Sequence, residues 1–271
     1  LIGKRTCGKG TLASILCHLL APYGQYVIVP VSAVVDGHIK KFEADPQHDL
    51  GRRLVEQIDI RKAGGLMSDE PIIETTFGEI IEFAQVADSG KLTLFLDGFA
   101  RTVGQGDALF KTFPNIRGYY SDITDDEVFR RAAQRTTERA AIGLPQRPDD
   151  MPVALRKHLN GWPQTYAAIC SIQKEHPDSL VHFKGTLPIR EQIKICLAHL
   201  GFTETEIIKI MRPLDTNPDH EATKIVWKLE GRSHPDRKSM AKQAMLVRAP
   251  HEPKWINFAG PVADQRTQVG A

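Results

Sequence analysis

The residues best suited to chemistry stand at the start of the chain. Gly3-Lys4-Arg5-Thr6-Cys7-Gly8-Lys9-Gly10-Thr11 places two glycines five positions apart and follows the second with a lysine. Glycines let the backbone curl so that successive N–H groups face one centre, which suits an anion rich in oxygens. A helix beginning there turns its own N-terminus to the same point. Lys9 can then reach the outer phosphates of a nucleotide. A glycine-rich turn before a helix is the blander explanation of the same letters. A second group follows the apolar run Leu92-Thr93-Leu94-Phe95-Leu96: Asp97, Gly98, Arg101 and Gln105. A carboxylate at a strand's C-terminal end can hold a magnesium-bound water. A third group is basic: Arg130, Arg131, Arg135 and Arg147. Arg131 and Arg135 are four apart and share a helical face. Transfer of a phosphoryl group is mostly positioning and charge stabilisation, so several cations must converge on it. A solvated basic helix face competes with that reading.

Positioning these groups needs strands that end where helices begin. Apolar periodicity predicts a helix through Leu12, Ile15, Leu16, Leu19 and Leu20, a short strand at 26–31, and helices at 34–42, 50–62 and 70–87. The run at 92–96 suits a strand buried on both faces. Further helices are expected at 103–113, 124–137, 153–174 and 188–200, and further strands at 119–123 and 180–183. Thr124-Asp125-Asp126-Glu127 is a capping-box pattern, and Pro188 suits a first helical turn. The alternation argues for parallel βα units with right-handed crossovers. Beyond Gly201, prolines interrupt the pattern and only 221–229 reads as helix, although Trp227 and Trp255 suggest partial packing.

Composition narrows the functional classes. The 271 residues are 41% apolar and 25% charged, with net charge +2, which leaves no electrostatic footprint for nucleic acid. No apolar run reaches the ~18 residues of a membrane span. Cys7, Cys17, Cys170 and Cys196 lack the spacing of a zinc site or disulfide framework, which fits a reducing cytosol.

The motifs, in this order, resemble those of adenylate kinases over residues 3–201. Gly8-Lys9-Gly10-Thr11 is similar to the family's GKGT. The run Phe95-Leu96-Asp97-Gly98-Phe99-Ala100-Arg101-Thr102 is similar to FLLDGFPRT. Gly65-Leu66-Met67-Ser68-Asp69-Glu70 is similar to GxLVPDE, Arg130-Arg131-Ala132-Ala133-Gln134-Arg135 to RRLLKR, and Arg147-Pro148-Asp149-Asp150 to RxDD. The resemblance implies an α/β, three-layer αβα P-loop NTPase fold with a parallel sheet. It implies an acceptor-binding insert at 32–69, a short lid at 136–146 and a partly flexible extension at 202–271. Only eleven residues separate Arg135 from Arg147, and none is cysteine, which excludes a long zinc-bearing lid.

By the same resemblance ATP and Mg²⁺ are the cofactors and a nucleoside monophosphate, AMP first, is the acceptor. Gly3, Gly8, Lys9, Gly10, Thr11, Arg131 and Gly185 would hold ATP. Ser32, His38, Leu66, Met67, Gly98, Arg101 and Gln105 would hold the acceptor. Asp97 would hold the metal through water. Lys9, Arg101, Arg135 and Arg147 would stabilise transferred charge. The expected protein is a cytoplasmic monomer whose partners are nucleotides, with neither nucleic acid nor membrane among them. Four departures stand out: Thr6 for a glycine, Ala100 for a proline, and His38 and His158 for arginines. Only Leu1-Ile2 remain of the strand expected before Gly3, which suggests a truncated start. A catalytically impaired nucleotide-binding module and a P-loop kinase with another acceptor are the alternatives.

Overall fold

Parallel strands require crossovers over the sheet faces, and the helical segments between the apolar runs supply them. The structure, a computed structural model, describes residues 1–232 apart from 63–64, 87–91 and 114. The strands are β1 (Ile2–Gly3), β2 (Gln25–Pro30), β3 (Leu92–Asp97), β4 (Gly118–Asp122) and β5 (Leu180–Lys184). β1 pairs with β4, β4 with β5, and β2 with β3, all in parallel. Leu1 joins the two pieces. Its nitrogen donates to the Leu96 carbonyl at 2.8 Å, and its carbonyl accepts from the Gly98 N–H at 3.3 Å. The order across is therefore β2-β3-β1-β4-β5.

Alternation along each strand sends neighbours to opposite faces. Phe95 and Tyr119 enter one core with Leu12, Ile15, Leu16, Leu19 and Leu20 of α1 (Lys9–Leu20). Leu96 and Tyr120 enter a second core, on the other face. That core is covered by α2 (Val31–Ala44), α3 (Asp49–Val55), α5 (Asp69–Val86) and α6 (Val103–Thr112), together with a later helix; α4 (Ile58–Lys62) lies between α3 and α5 in the chain. The expected three-layer αβα arrangement is what the chain forms.

Several boundaries differ from expectation for local reasons. The helix expected at 50–62 divides into α3 and α4. α7 (Asp125–Ala141) runs past 137, so the segment expected to be a lid at 136–146 begins as helix. Thr124 caps α7 by accepting the Glu127 N–H at 3.3 Å, but the Glu127 carboxylate turns to Arg130 and Arg131, so half of the capping box is made. The helix expected at 153–174 divides at Gly161 into α8 (Pro152–Asn160) and α9 (Trp162–Glu175). Pro163 lacks an N–H and cannot continue α8, but it fits the first turn of α9. Pro188 sits at the N-cap of α10 (Ile189–His199) rather than inside it.

The largest correction concerns the start of the extension. Residues 204–216 form α11 (Glu204–Met211) and α12 (Pro213–Thr216), and the helix expected at 221–229 follows as α13 (Glu221–Leu229). Ile207, Ile210, Met211, Leu214, Ala222, Val226 and Trp227 lie in the same core as α1. Thr203 and Glu206 close a full capping box at α11. The prolines of this stretch start or separate helices; they do not prevent them. Trp227 is buried, and its indole N–H donates to the Leu214 carbonyl at 3.1 Å. Residues 233–271, including Trp255, lie outside the described residues, as do the breaks expected at Ala63-Gly64 and Ser89-Gly90.

Because α13 completes the α1 core, Trp227→Ala should cost about 3–5 kcal/mol, the usual range for emptying a buried aromatic site. Urea denaturation checks this; a loss below about 0.5 kcal/mol is what a detached appendage would give.

Candidate active site

The turn after β1 cannot carry side chains on its inner side. A Cβ on Gly3 would come within 2.6 Å of Cys7 Sγ and 2.7 Å of the Ser121 carbonyl. Gly8 has φ 96° and serves as the N-cap of α1 with no side-chain cap, so the first N–H groups of the helix stay directed into the cleft. Thr6 occupies the left-handed region at φ 62°. Its hydroxyl donates towards the Arg5 carbonyl at 2.6 Å and the Val128 carbonyl at 3.2 Å, local bonds that offset the strain of a β-branched residue there. Lys9 folds across the loop, donating to the Gly3 and Lys4 carbonyls at 3.0 and 3.1 Å. Thr11 faces the same cleft, and Asp97 Oδ2 overhangs the helix start, 3.6 Å from where a Gly10 Cβ would stand.

This cleft has a volume of about 1680 Å³ and runs from the β5 end past the β1–α1 loop to α2. Arg131 spans its near end. Its guanidinium donates to the Gly185 carbonyl at 2.8 Å and to the Thr6 and Cys7 carbonyls at 3.4 and 3.3 Å, while Nε meets Glu127. Bonds from Arg130 and then Arg131 hold the Glu127 pKa down to about 2. One turn on, Arg135 is fixed to the buried Asp150, with Nε 2.7 Å from Oδ2. Arg147 lines the cleft but is half exposed, 4.0 Å from Asp149.

The far end is built around the loop after β3. Gly98 takes φ 89° and Ala100 takes φ 58°, a value closed to proline. Gln105 is buried; its Oε1 accepts the Arg101 N–H at 3.0 Å and its Nε2 donates to Asp69 at 3.0 Å. Asp69 also takes the Thr102 hydroxyl, which ties the loop to α5. Ser32, Leu66 and Met67 line this end. The Arg101 guanidinium has no ion-pair partner among the described residues. Burial pushes its pKa down to about 10, with Arg5 and Arg61 adding to the effect.

His38 is the one expected site residue that does not line the cleft. It stacks on His48, ring centroids 5.3 Å apart, with Nδ1 3.0 Å from His48 Nε2. Gly51 permits that pairing, since a Cβ there would meet the His38 carbonyl at 2.4 Å. Three residues that sequence reasoning left out do reach the cleft: Arg5, Arg61 and Trp162. Arg61 pairs with Asp36 across from Arg101, and its position just before the glycine turn was the only signal for it. Lys157 also lines the wall.

His158 is 8% exposed and lies between the two ends. Its Nε2 accepts the Arg5 backbone N–H at 3.2 Å, and its Nδ1 is 3.4 Å from Arg101 Nη2. Burial first, then Arg101, Arg5, Lys9 and Lys4, lower its pKa to about 3, so the ring is neutral. All four cysteines are free thiols. No helix among the described residues is long and apolar enough to cross a membrane.

No family model matches the chain. Among curated proteins, an adenylate kinase of Xanthobacter autotrophicus is 30% identical over 195 residues, covering 70% of this chain and 90% of its own length. An adenylate kinase of Agrobacterium fabrum is 27% identical over 179 residues, covering 64% and 83%. One from Brucella ovis is 29% identical over 197 residues, covering 70% and 92%.

The neutral His158 sets a pH dependence. Below the usual histidine pKa near 6.5 the unfolded chain binds a proton that the folded chain refuses until about pH 3. Stability should therefore fall as pH drops through that window, by up to about 1.4 kcal/mol per pH unit from this ring. Urea midpoints between pH 7 and 4 should show a shallower slope for His158→Leu than for the native chain.

Proposed function

The chain belongs to the adenylate kinase family, and from that premise we propose that it transfers the γ-phosphoryl group of Mg-ATP to AMP, giving two ADP. The observation that carries this reading is Arg101: a guanidinium held in the cleft without a carboxylate partner among the described residues, opposite an uncapped helix N-terminus. Concentrated positive charge of this kind is stable only with an anion between its parts.

In this reading Gly3, Gly8, Gly10, Thr11 and Lys9 hold the ATP phosphates, with Arg131 and Gly185 at the adenine end. Arg101 holds the acceptor phosphate. Gly98, Gln105, Leu66, Met67 and Ser32 surround the acceptor nucleoside. Arg61 supplies a cation on the acceptor side, from which His38 turns away. An acceptor phosphate oxygen attacks the γ-phosphorus, and the bond from that phosphorus to the β–γ bridging oxygen breaks as ADP leaves. Lys9, Arg135 and Arg147 neutralise charge that shifts onto the equatorial and leaving oxygens. Closure of the cleft excludes water, which would otherwise take the phosphoryl group.

A single carboxylate beside the phosphate loop fits Mg²⁺, which is commonly bound by one or two carboxylates and the substrate's own phosphates. Asp97 is that carboxylate, over Gly10 and near Thr11, and would hold the ion through water. When bound, the metal supplies charge neutralisation between the phosphates.

A coupled assay of ADP formation from Mg-ATP with AMP, CMP, UMP, GMP or no acceptor tests the proposal. AMP-dependent turnover is expected. Turnover with another acceptor alone would point to a kinase of different specificity, and none at all in folded protein would point to a nucleotide-binding module. Lys9→Ala should lower kcat by about 10³-fold. Arg101→Ala should lower kcat/KM for AMP by about 100-fold, with the KM for ATP nearly unchanged; normal AMP kinetics would misplace the acceptor site.

A further inference from the structure

His158 stands where two phosphate-binding elements meet, and its hydrogen bonds restrict how it can act. Nε2 faces the Arg5 N–H at 3.2 Å, and no other acceptor for that N–H exists among the described residues. A neutral imidazole carries one proton. With Nε2 accepting, the proton sits on Nδ1, and Nδ1–H then faces Arg101 Nη2–H across 3.4 Å. Two donors oppose each other there. The other tautomer would relieve that pair but would set Nε2–H against the buried peptide N–H of Arg5. Arg101 has five N–H groups and the open cleft, whereas the peptide N–H has only His158, so the Nδ1–H form is the better satisfied.

The surrounding charges agree with a neutral ring. Lys4 and Arg5 come from the β1–α1 loop, Lys9 from the start of α1, Arg101 from the loop after β3, and the ring of Trp162 from α9. The nearby carboxylate, Asp149, is engaged by Arg5 at 3.0 Å. Donors 3.4 Å apart suit one acceptor placed about 2.9 Å from each.

We propose that His158 is a substrate-binding residue whose Nδ1–H and Arg101 Nη2–H together grip one oxygen of the acceptor phosphate. The inference rests on the reading of the cleft as the nucleotide site. It replaces a missing cation with a neutral donor. That donor leaves one fewer positive charge to repel Arg101, and the same ring fixes the Arg5 peptide of the donor-side loop.

Full-length protein labelled with ¹⁵N-histidine tests the tautomer without turnover. His158 should show a protonated Nδ1 and an unprotonated Nε2 from pH 5 to 8, and AMP should shift the Nδ1–H proton while ATP alone leaves it in place. His158→Leu should weaken AMP binding about 10- to 100-fold with ATP binding little changed. His158→Asn, which keeps a donor near Nδ1, should recover most of that loss; thermal melts would confirm that both variants fold. An Nε2–H tautomer, an imidazolium in the AMP complex, or AMP affinity indifferent to His158→Leu would overturn the inference. Those outcomes, in a native chain that phosphorylates AMP, leave the kinase reading intact. A native chain that neither binds nor uses AMP overturns both.

Discussion

The site depends on α1 being rigid along its length and unsatisfied at its start. Six of its apolar residues are buried in the core it shares with the sheet, while Gly8 leaves the first turn with no side-chain cap. A helix N-terminus can attract an anion only if it is not free to fray or to rotate its N–H groups away. The sheet holds α1 on one side through Phe95, Tyr119 and Phe183. α10, α11 and α13 hold it on the other, which explains why residues 204–229 are part of the domain's core. The placement of Lys9 at the start of α1 and the packing of Trp227 against its core thus answer to one helix.

Assembling so many cations in one cleft creates a second constraint. Each arginine must be aimed without being consumed by its carboxylate. Glu127 and Asp150 meet Arg131 and Arg135 from the side facing the protein, so backbone and carboxylate bonds orient the guanidinium planes. Asp36 does the same for Arg61. Arg101 is treated differently: among the described residues its guanidinium meets His158 and no acid. A carboxylate at that point would compete with a phosphate directly, and a further arginine beside Arg5, Arg61 and Arg101 would add repulsion in a partly buried volume. A neutral imidazole avoids both costs.

What could be read from the sequence follows from how local each signal is. The GKGT turn, the buried run into Asp97 and the four-residue spacing of Arg131 and Arg135 are short-range patterns, and the fold places all three around one cleft. The division at Gly161 was legible in principle, since Pro163 follows it, but apolar periodicity on both sides hid it. α11 and α12 are hidden by the prolines around them, although Thr203 and Glu206 spell a capping box, whereas α13 is legible as 221–229. Alignment to a motif ignores rotation about the helix, and His38 is where that matters. It turns to His48, and Arg61, from a separate helix, takes the cleft wall. No sequence rule joins residues that far apart.

The departures from the family pattern are connected with one another. Thr6 and Ala100 are the only non-glycine residues at positive φ among those described, and they lie in the loops that follow β1 and β3. Such conformations cost of order 1–3 kcal/mol each and persist only when their surroundings over-determine them. At Thr6 the hydroxyl bonds to α7 supply that. At Ala100 a proline would forbid the observed turn outright, so the loop that presents Arg101 follows a path that a proline-bearing loop cannot take. Gln105 accepts the Arg101 N–H from within that path, and His158 meets the guanidinium at its end. Proline lost at 100 and arginine replaced at 158 are therefore adjustments at the same guanidinium, one to its backbone and one to its neighbour. Changing either alone would leave Arg101 directed by a loop and a partner that no longer match.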